Sequence, residues 1–356
     1  MALGGSSAAG IGMLAPLMFA MLISGTMNTI LMKFMVMQQV PTGPGQVAAG
    51  FEYPYFQSLL MMIGEFLCLI LFYASKNQAP VKGPEAPKGI FAVACLLDWT
   101  ATTLVNMAYV LIAASVIQMT RGAIVIFTCL FSVLFLGRRQ HRYHIAGVML
   151  VFLGITFVSL STFVNPAADT TAPAVSVNRQ LMGIGLCVTA QVFQAAMLVY
   201  EEKIMSQFDV PPLQVVGMEG AFGIMFGIVL LTFLNATGIE SSSEALYQMG
   251  HSTPLAMAVV GSIFSIALFN YAGVTVTQKA SAVSRSTIDV SRTILIWAVE
   301  LAFGWNRFNV LELAGFIILA FGTLIYNRLI VLSALEPPAE AEHILNDKSK
   351  EPIEVA

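Results

Sequence analysis

Apolar stretches alternate with short polar connections along almost the whole chain. Each stretch holds about 20 residues, the number that an α-helix needs to cross the hydrocarbon core of a bilayer. Proline, glycine and charged residues mark the breaks between the stretches. This pattern predicts ten membrane-spanning helices, at residues 11–37, 55–75, 89–112, 115–136, 144–163, 180–203, 212–234, 254–278, 282–303 and 309–331.

The composition excludes an ordinary soluble protein. Hydrophobic residues make up 57% of the chain and charged residues only 10%, whereas about 25% of a typical soluble domain is charged. Ten spans leave almost no chain for a soluble catalytic domain, and the sequence has no His-Glu-x-x-His or paired cysteine-histidine pattern. The four cysteines lie inside apolar stretches and lack the spacing of metal ligands. The sequence predicts a membrane protein that is not an enzyme and needs no cofactor or metal.

Positive charge sets the predicted orientation in the membrane. Lysines and arginines concentrate in the connections on the side shared by both termini, so we expect both termini to be cytosolic. These residues are Lys76, Lys82, Lys88, Arg138, Arg139, Arg142 and Lys203. The connections on the opposite side hold only Arg179 and Arg307.

The two halves of the chain echo one another, which indicates an internal repeat. Ser115, Gly137 and Gly147 in the first half are matched at similar spacing in the second half by Ser281, Gly304 and Gly315. Because each half has five helices, the second half enters the membrane from the opposite face, as in transporters built from inverted repeats. The predicted fold is an all-α membrane protein of ten transmembrane helices in two inverted five-helix repeats. The expected segments are an N-terminal tail 1–10, a first repeat 11–163, a lumenal linker 164–179, a second repeat 180–331 and an acidic cytosolic tail 332–356.

Several charged and amide side chains fall inside the spans. Each charge at mid-bilayer costs about 2.5–3.5 kcal/mol on insertion scales, so we expect these groups to face one another or water. The functional interpretation is that Arg121, Arg285 and Arg292 present positive charge to a central cavity and bind an anionic solute. The alternative is internal ion pairing, which the helical spacing favours for Asp289. For Arg121, a substrate contact and pairing with Asp98 are equally supported.

Glu65 and Glu219 each have a functional and a structural interpretation. Glu65 is an isolated carboxylate in an apolar helix, which suits either proton exchange or a structural hydrogen bond. Glu219 precedes a face of small residues, so a gating role competes with a packing contact. We interpret Glu201-Glu202-Lys203 as a solvated helix end, with a gate as the alternative. The candidate substrate contacts are Asn28, Asp98, Asn106, Gln118, Arg121, Arg285 and Arg292, and the candidate coupling or gating residues are Glu65, Glu219 and Asp289.

A set of short motifs resembles the F subfamily of the solute carrier 35 family. The first half carries Gly64-Glu65-Phe66, Gln118-Met119-Thr120-Arg121-Gly122-Ala123 and Phe135-Leu136-Gly137-Arg138-Arg139. The second half carries Glu201-Glu202-Lys203, Glu219-Gly220, Phe269-Asn270, Arg292-Thr293 and Ile296-Trp297-Ala298. This family belongs to the drug/metabolite transporter superfamily, as do nucleotide-sugar and chloroquine-resistance-type transporters. The resemblance implies ten helices, cytosolic termini and a central cavity between inverted repeats.

These observations predict a secondary-active transporter of a small anionic or amphipathic metabolite that works by alternating access. The alternative is a membrane-embedded interaction or regulatory protein without transport activity, against which the buried charges argue. The expected partners are the lipid bilayer and a small-molecule substrate, with no nucleic acid, and a homodimer is left open. The resemblance implies an intracellular endomembrane, of the lysosome, vacuole or Golgi, with mitochondrial association as another location.

Overall fold

The computed structural model describes residues 8–75, 86–109, 121–164, 177–304, 308–327 and 329–332. These residues form eleven α-helices and one small antiparallel hairpin. The helices are α1 (Ala8–Met37), α2 (Pro54–Ala74), α3 (Gly89–Tyr109), α4 (Ala123–Leu136), α5 (Arg142–Val164), α6 (Val177–Gln207), α7 (Pro212–Thr237), α8 (Ser242–His251), α9 (Thr253–Lys279), α10 (Ala282–Ala302) and α11 (Val310–Tyr326). The hairpin strands are β1 (Val40–Pro41) and β2 (Ala48–Ala49).

Ten of these helices lie where the apolar pattern predicts spans. Most of the predicted and observed ends that fall in the described residues agree within about one helical turn. Local chemistry explains several starts: Pro54 and Pro212 occupy first helical positions, and the side chains of Ser252, Ser281 and Asn309 accept backbone N–H groups at the starts of α9, α10 and α11. The hairpin and the ten-residue α8 were not predicted.

The helices meet through glycine-lined contacts. In α7, glycines recur on the face that packs on α2, and a Cβ added to Gly220 would lie 2.8 Å from the Cβ of Glu65. In α5 and α11 the same holds, because a Cβ on Gly154 would lie 2.6 Å from the backbone nitrogen of Leu319. Small residues let two helix backbones approach closely. In lipid, the van der Waals packing of such contacts drives helix association, because the hydrophobic effect does not.

Large apolar side chains cover the outer faces of the bundle. Phe19, Leu134, Phe233 and Phe264 are each more than 60% exposed. Such a surface is stable when lipid, not water, surrounds it. Five of the described helices are long and apolar enough to cross a membrane: α1, α2, α6, α7 and α9. Four shorter apolar helices accompany them, within α3, α4, α5 and α11. The protein is a multi-pass membrane protein.

The hairpin, α8 and the segment before α2 form a compact cap at one end of the bundle, spanning Val40–Tyr53 and Glu240–His251. The Gln248 amide donates to the carbonyl oxygens of Val40 at 2.9 Å and Ala49 at 3.3 Å. The Glu240 carboxylate accepts the backbone N–H groups of Tyr55 at 3.2 Å and Phe56 at 2.7 Å. It therefore satisfies donors that the start of α2 would leave unpaired.

Tyr53 adds a further link within this cap. Its hydroxyl donates to Oε2 of Glu244 at 3.2 Å. Burial, together with the nearby Glu244 carboxylate, raises the pKa of Tyr53 to about 12. The phenol therefore stays protonated near neutral pH and keeps its donor role.

Candidate functional site

Five ionisable side chains from five helices converge inside the bundle, and we call them the central cluster. They are Glu65 of α2, Asp98 of α3, Glu201 of α6, Glu219 of α7 and Arg285 of α10. Glu65, Glu201, Glu219 and Arg285 are each at most 6% exposed. Because they sit within one another's electrostatic field, a change of charge on one alters the energy of the others.

Arg285 is the cation of the central cluster. One of its guanidinium nitrogens pairs with Oε2 of Glu201. The other lies 3.5 Å from Oδ1 of Asn270, whose amide nitrogen donates to Glu65 at 2.5 Å. A Cβ at Gly273 would lie 2.7 Å from Nε of Arg285, so this glycine leaves room for the guanidinium. Arg285 thus links α6, α9 and, through Asn270, α2.

The other two carboxyl groups are held differently. Asp98 accepts a hydrogen bond from the Gln194 amide at 3.2 Å. Glu219 is 6% exposed, and its carboxyl group shares a hydrogen bond with that of Glu201. Its largest electrostatic neighbours are Glu201 and Glu65, which are also carboxyl groups. The central cluster therefore sets four carboxyl groups against one guanidinium.

A second ionic group lies beside the central cluster, at the start of α10. Glu202 pairs with Arg138 and accepts the backbone N–H of Ala282 at 2.7 Å. Arg138 also donates to the carbonyl oxygen of Ala280 at 3.3 Å. The contacts join the end of α4 to α6 and α10.

The prediction of a solvated helix end at Glu201-Glu202-Lys203 is wrong for both glutamates. Glu201 is fully buried and Glu202 is 4% exposed, while Lys203 is exposed. The physical reason is that α6 continues to Gln207, and neighbouring helices supply Arg285 and Arg138 as counter-ions. Ion pairing makes such burial tolerable.

Arg292 and Asp289 form an ion pair within α10. Nε of Arg292 lies 3.1 Å from Oδ1 of Asp289, three residues away, as the internal-pair interpretation expects. The guanidinium also lies 4.9 Å from the centre of the Phe269 ring, which adds a cation–π contact. Arg285 pairs with Glu201 instead, so two of the three candidate arginines are already neutralised by carboxylates.

Asn28 lies elsewhere in the interior, between α1 and α9. It is 6% exposed, and its Oδ1 accepts a hydrogen bond from Ser265 at 3.2 Å. Further along α1, Lys33 pairs with Glu300 of α10 at 2.7 Å and is partly exposed. The structure does not bring Asn28 into the central cluster.

Arg121 precedes α4 and lies close enough to Cys187 of α6 to act on it electrostatically. Among described residues, no carboxylate lies within ion-pair distance of Arg121, and the considered pair with Asp98 is not formed. The physical reason is that the Asp98 carboxylate faces Gln194 and Arg285. Asn106 belongs to α3, but its side chain lies outside the described part of the chain, and Gln118 lies outside the described residues altogether.

Sequence reasoning missed Glu201, Asn270 and Gln194 as members or partners of the central cluster. A signal for two of them existed, since Gln194 and Glu201 are seven residues apart and therefore share one face of α6. The position of Glu201 near the predicted end of this helix hid the relation. Asn270 is a single amide in an apolar helix, and its partners come from distant parts of the chain.

A helical bundle with apolar outer faces, and with ionisable groups from five helices in its interior, defines a polytopic membrane protein with a polar interior. The model of the UAA transporter family matches residues 15–330. The chain belongs to this family and is a membrane transporter of small solutes.

Similar proteins agree with this assignment, and a solved structure shares the fold. The chain is 35% identical over 327 residues to "Solute carrier family 35 member F6" of Homo sapiens, covering 87% of both chains. It is 35% identical over 343 residues to the protein of the same name in Pongo abelii, covering 90% of this chain and 91% of the relative. The predicted resemblance to the solute carrier 35 family is confirmed. A protein of known crystal structure matches the fold with a TM-score of 0.65 at 12% identity, over 89% of this chain and 97% of the other.

Proposed function

We propose that this protein is a secondary-active transporter that moves a small amphipathic metabolite by alternating access, using ten helices in two inverted five-helix repeats. The observation that carries the proposal is the central cluster, in which five helices bring ionisable groups together inside the bundle. Buried charges inside a membrane bundle are costly, and they typically mark a solute or ion pathway.

Helix packing supports the inverted repeat. If α1–α5 correspond in order to α6, α7, α9, α10 and α11, related contacts must occur in matched pairs. The contact of α1 with α9 is matched by that of α3 with α6, and the contact of α4 with α6 by that of α1 with α10. The pairs α2 with α7, α4 with α10 and α5 with α11 map onto themselves. Such symmetry lets one repeat rock against the other around a shared site.

The two ends of the bundle carry different closing contacts. The cap lies at the end where α2 begins, and the Arg138–Glu202 pair lies at the end where α4 finishes. We propose that the Arg138 end faces the cytosol together with both termini, because the lysines and arginines of the connections concentrate there. The contacts at each end join different halves of the chain, as alternating gates require.

Residue roles follow from this arrangement. We assign Glu65 and Glu219 to coupling or gating, because both are buried carboxyl groups in the central cluster, and Asp289 to gating through its pair with Arg292. The solute contacts proposed from the sequence are Asn28, Asp98, Asn106, Gln118, Arg121, Arg285 and Arg292. Of these, Asp98 and Arg285 belong to the central cluster. An intracellular endomembrane is the proposed location.

The test begins with the purified full-length protein. Thermal stabilisation by a panel of nucleotide sugars, nucleotides, peptides, glutathione and organic cations detects solutes that bind the folded state. Labelled uptake of each hit into proteoliposomes then compares the wild type with the Arg121→Ala and Glu65→Gln variants. We expect saturable uptake that both substitutions reduce. If both variants fold and take up the solute at the wild-type rate, these role assignments are wrong. If no solute is transported, an interaction protein is favoured.

A further inference from the structure

The central cluster has more acidic groups than its own cation can neutralise. Arg285 is committed to Glu201, and its other contact is with the uncharged Asn270. Glu219 is 6% exposed, and its hydrogen-bond partner is another carboxyl group of the central cluster, that of Glu201. Two carboxyl groups in contact need either a proton between them or a cation beside them.

Only two kinds of partner neutralise such a carboxylate. A bare charge in a low-dielectric interior is unfavourable by several kcal/mol, so the group takes up a proton or holds a cation. An anionic solute would meet four carboxyl groups, and the one guanidinium beside them already has its counter-ion. The charge balance of the central cluster therefore selects against anions and for cations.

The surroundings of Glu219 indicate an organic cation. Met62, Cys95 and Trp99 form a buried apolar group next to α7, where a Cβ on Gly227 would lie 3.0 Å from the Trp99 ring. The Trp99 indole N–H is buried and lacks an acceptor among the described residues. The described residues contain no group of three or more His, Cys, Asp or Glu side chains placed so that they could hold a metal ion. Carboxyl groups beside an aromatic and thioether wall suit an amine that carries an apolar body.

We propose that the central cluster binds the cationic group of an organic amine, with Glu219 as its direct counter-ion and Glu65 next to it, and that the amine exchanges for a proton held on the same carboxyl groups. This inference rests on the proposed transport function and specifies its substrate class. Each bound ammonium group displaces one proton, so the charge of the site is conserved. The groups that face Glu219 are Glu201, Glu65, Arg285, Asp98 and the Cys95 thiol.

The test uses three probes with one carbon skeleton: phenylbutylamine, phenylbutanol and phenylbutyrate. Thermal stabilisation of the full-length protein is measured in detergent at about pH 5 and about pH 8. We expect the amine alone to stabilise, with an apparent affinity that rises by up to about tenfold per pH unit while one proton competes. Proton release on amine addition to weakly buffered wild-type protein is expected to be about one per amine bound, and it does not depend on any variant folding.

Variants then locate the site. Glu219→Gln is expected to remove the stabilisation by the amine, whereas Glu244→Gln in the cap is expected to keep it. Equal stabilisation by the alcohol, preference for the carboxylate, or amine binding without proton release would each overturn the inference. If the wild type transports an anionic solute, the proposed transport function is retained and only the amine as substrate is wrong. The two failures are therefore distinguishable.

Discussion

At the scale of single residues, the protein depends on compensating buried charges. Glu201 is fully enclosed, and Arg285 is the cation with which it pairs. Arg285 has several other carboxyl groups in its field, including Glu65, Asp98 and Glu219. The two members of the pair are therefore not equivalent, because only Arg285 has substitute partners.

Removing Arg285 is predicted to destabilise the protein more than removing Glu201. Loss of one partner from a buried ion pair lowers the free energy of unfolding by about 3–5 kcal/mol. We expect Arg285→Gln to reach this range, Glu201→Gln to lose less, and the double variant to lose less than the sum. Thermal unfolding in detergent measures all three. The control is Lys33→Gln, whose ion pair lies at the partly exposed edge of the bundle and is expected to contribute about 1 kcal/mol or less.

Strict additivity of the two substitutions, or a loss at Arg285 no larger than at Lys33, would show that the pair does not act as described.

The sequence predicts which residue types are buried better than it predicts their partners. Glu65, Asp98, Glu219 and Arg285 stand out because charge is rare in apolar spans. The pair of Arg292 with Asp289 follows from helical spacing. In contrast, the link between Glu201 and Arg285 joins residues 84 positions apart, and no local period encodes it.

At the scale of secondary structure, glycine faces decide how closely the helices pack. The α2–α7 contact is the clearest case, because Glu65 and Glu219 lie on its two sides. The closeness of these helices holds two members of the central cluster together. Any side chain added at this contact must push the helices apart.

Gly220→Ala is therefore predicted to destabilise the protein. The new Cβ would lie 2.8 Å from the Cβ of Glu65, and overpacking of this kind costs about 1–3 kcal/mol. Gly185→Ala in α6 is the matched control, since a Cβ there meets nothing within 4 Å. Alanine is the better helix former by up to about 1 kcal/mol, so this control is expected to be neutral or stabilising. Equal effects of the two substitutions on thermal unfolding would contradict the packing account.

The Glu240 cap of α2 is predicted to make stability depend on pH. Burial raises the pKa of the Glu240 carboxyl above its ordinary value, although the two backbone N–H groups oppose this. The folded protein thus binds this proton more tightly than the unfolded chain. The contribution of the group to stability is complete below the unfolded pKa, which is about 4.3 for a glutamate, and declines as pH rises through the raised folded value.

Glu240→Gln carries no titrating group, so this part of the pH dependence should vanish. The variant also loses an acceptor for one of the two N–H groups, which costs about 1 kcal/mol. Thermal unfolding of both proteins across acidic to neutral pH measures the difference. A difference that stays constant with pH would exclude titration of Glu240 as its source.

Helix positions were predictable because span length and hydropathy are local properties of the chain. The ends of α2, α7 and α9 lie within a few residues of the predicted limits. The cap was missed for the same reason, since α8 is short and amphipathic and the hairpin has two residues per strand. The contacts of these elements, such as Gln248 with Val40 and Glu240 with Phe56, join distant parts of the chain, and no local window reveals them.

At the scale of the whole molecule, the described helices make matched contacts, close the two ends through different residues and enclose the central cluster. We propose that these three features together serve a carrier. A channel does not need to close its two ends in turn, because its pore is open to both sides at once. A carrier with alternating access, in contrast, uses the same site in both directions, so solute on one side of the membrane affects uptake from the other side.

Counterflow in proteoliposomes tests this central claim most directly. Vesicles that contain the purified protein are preloaded with an unlabelled solute that stabilises it, and uptake of the labelled solute is followed. We predict a transient accumulation of label above equilibrium, which disappears when the vesicles are not preloaded and is reduced in Glu65→Gln. Uptake that is unaffected by preloading and does not saturate would contradict alternating access through the central cluster.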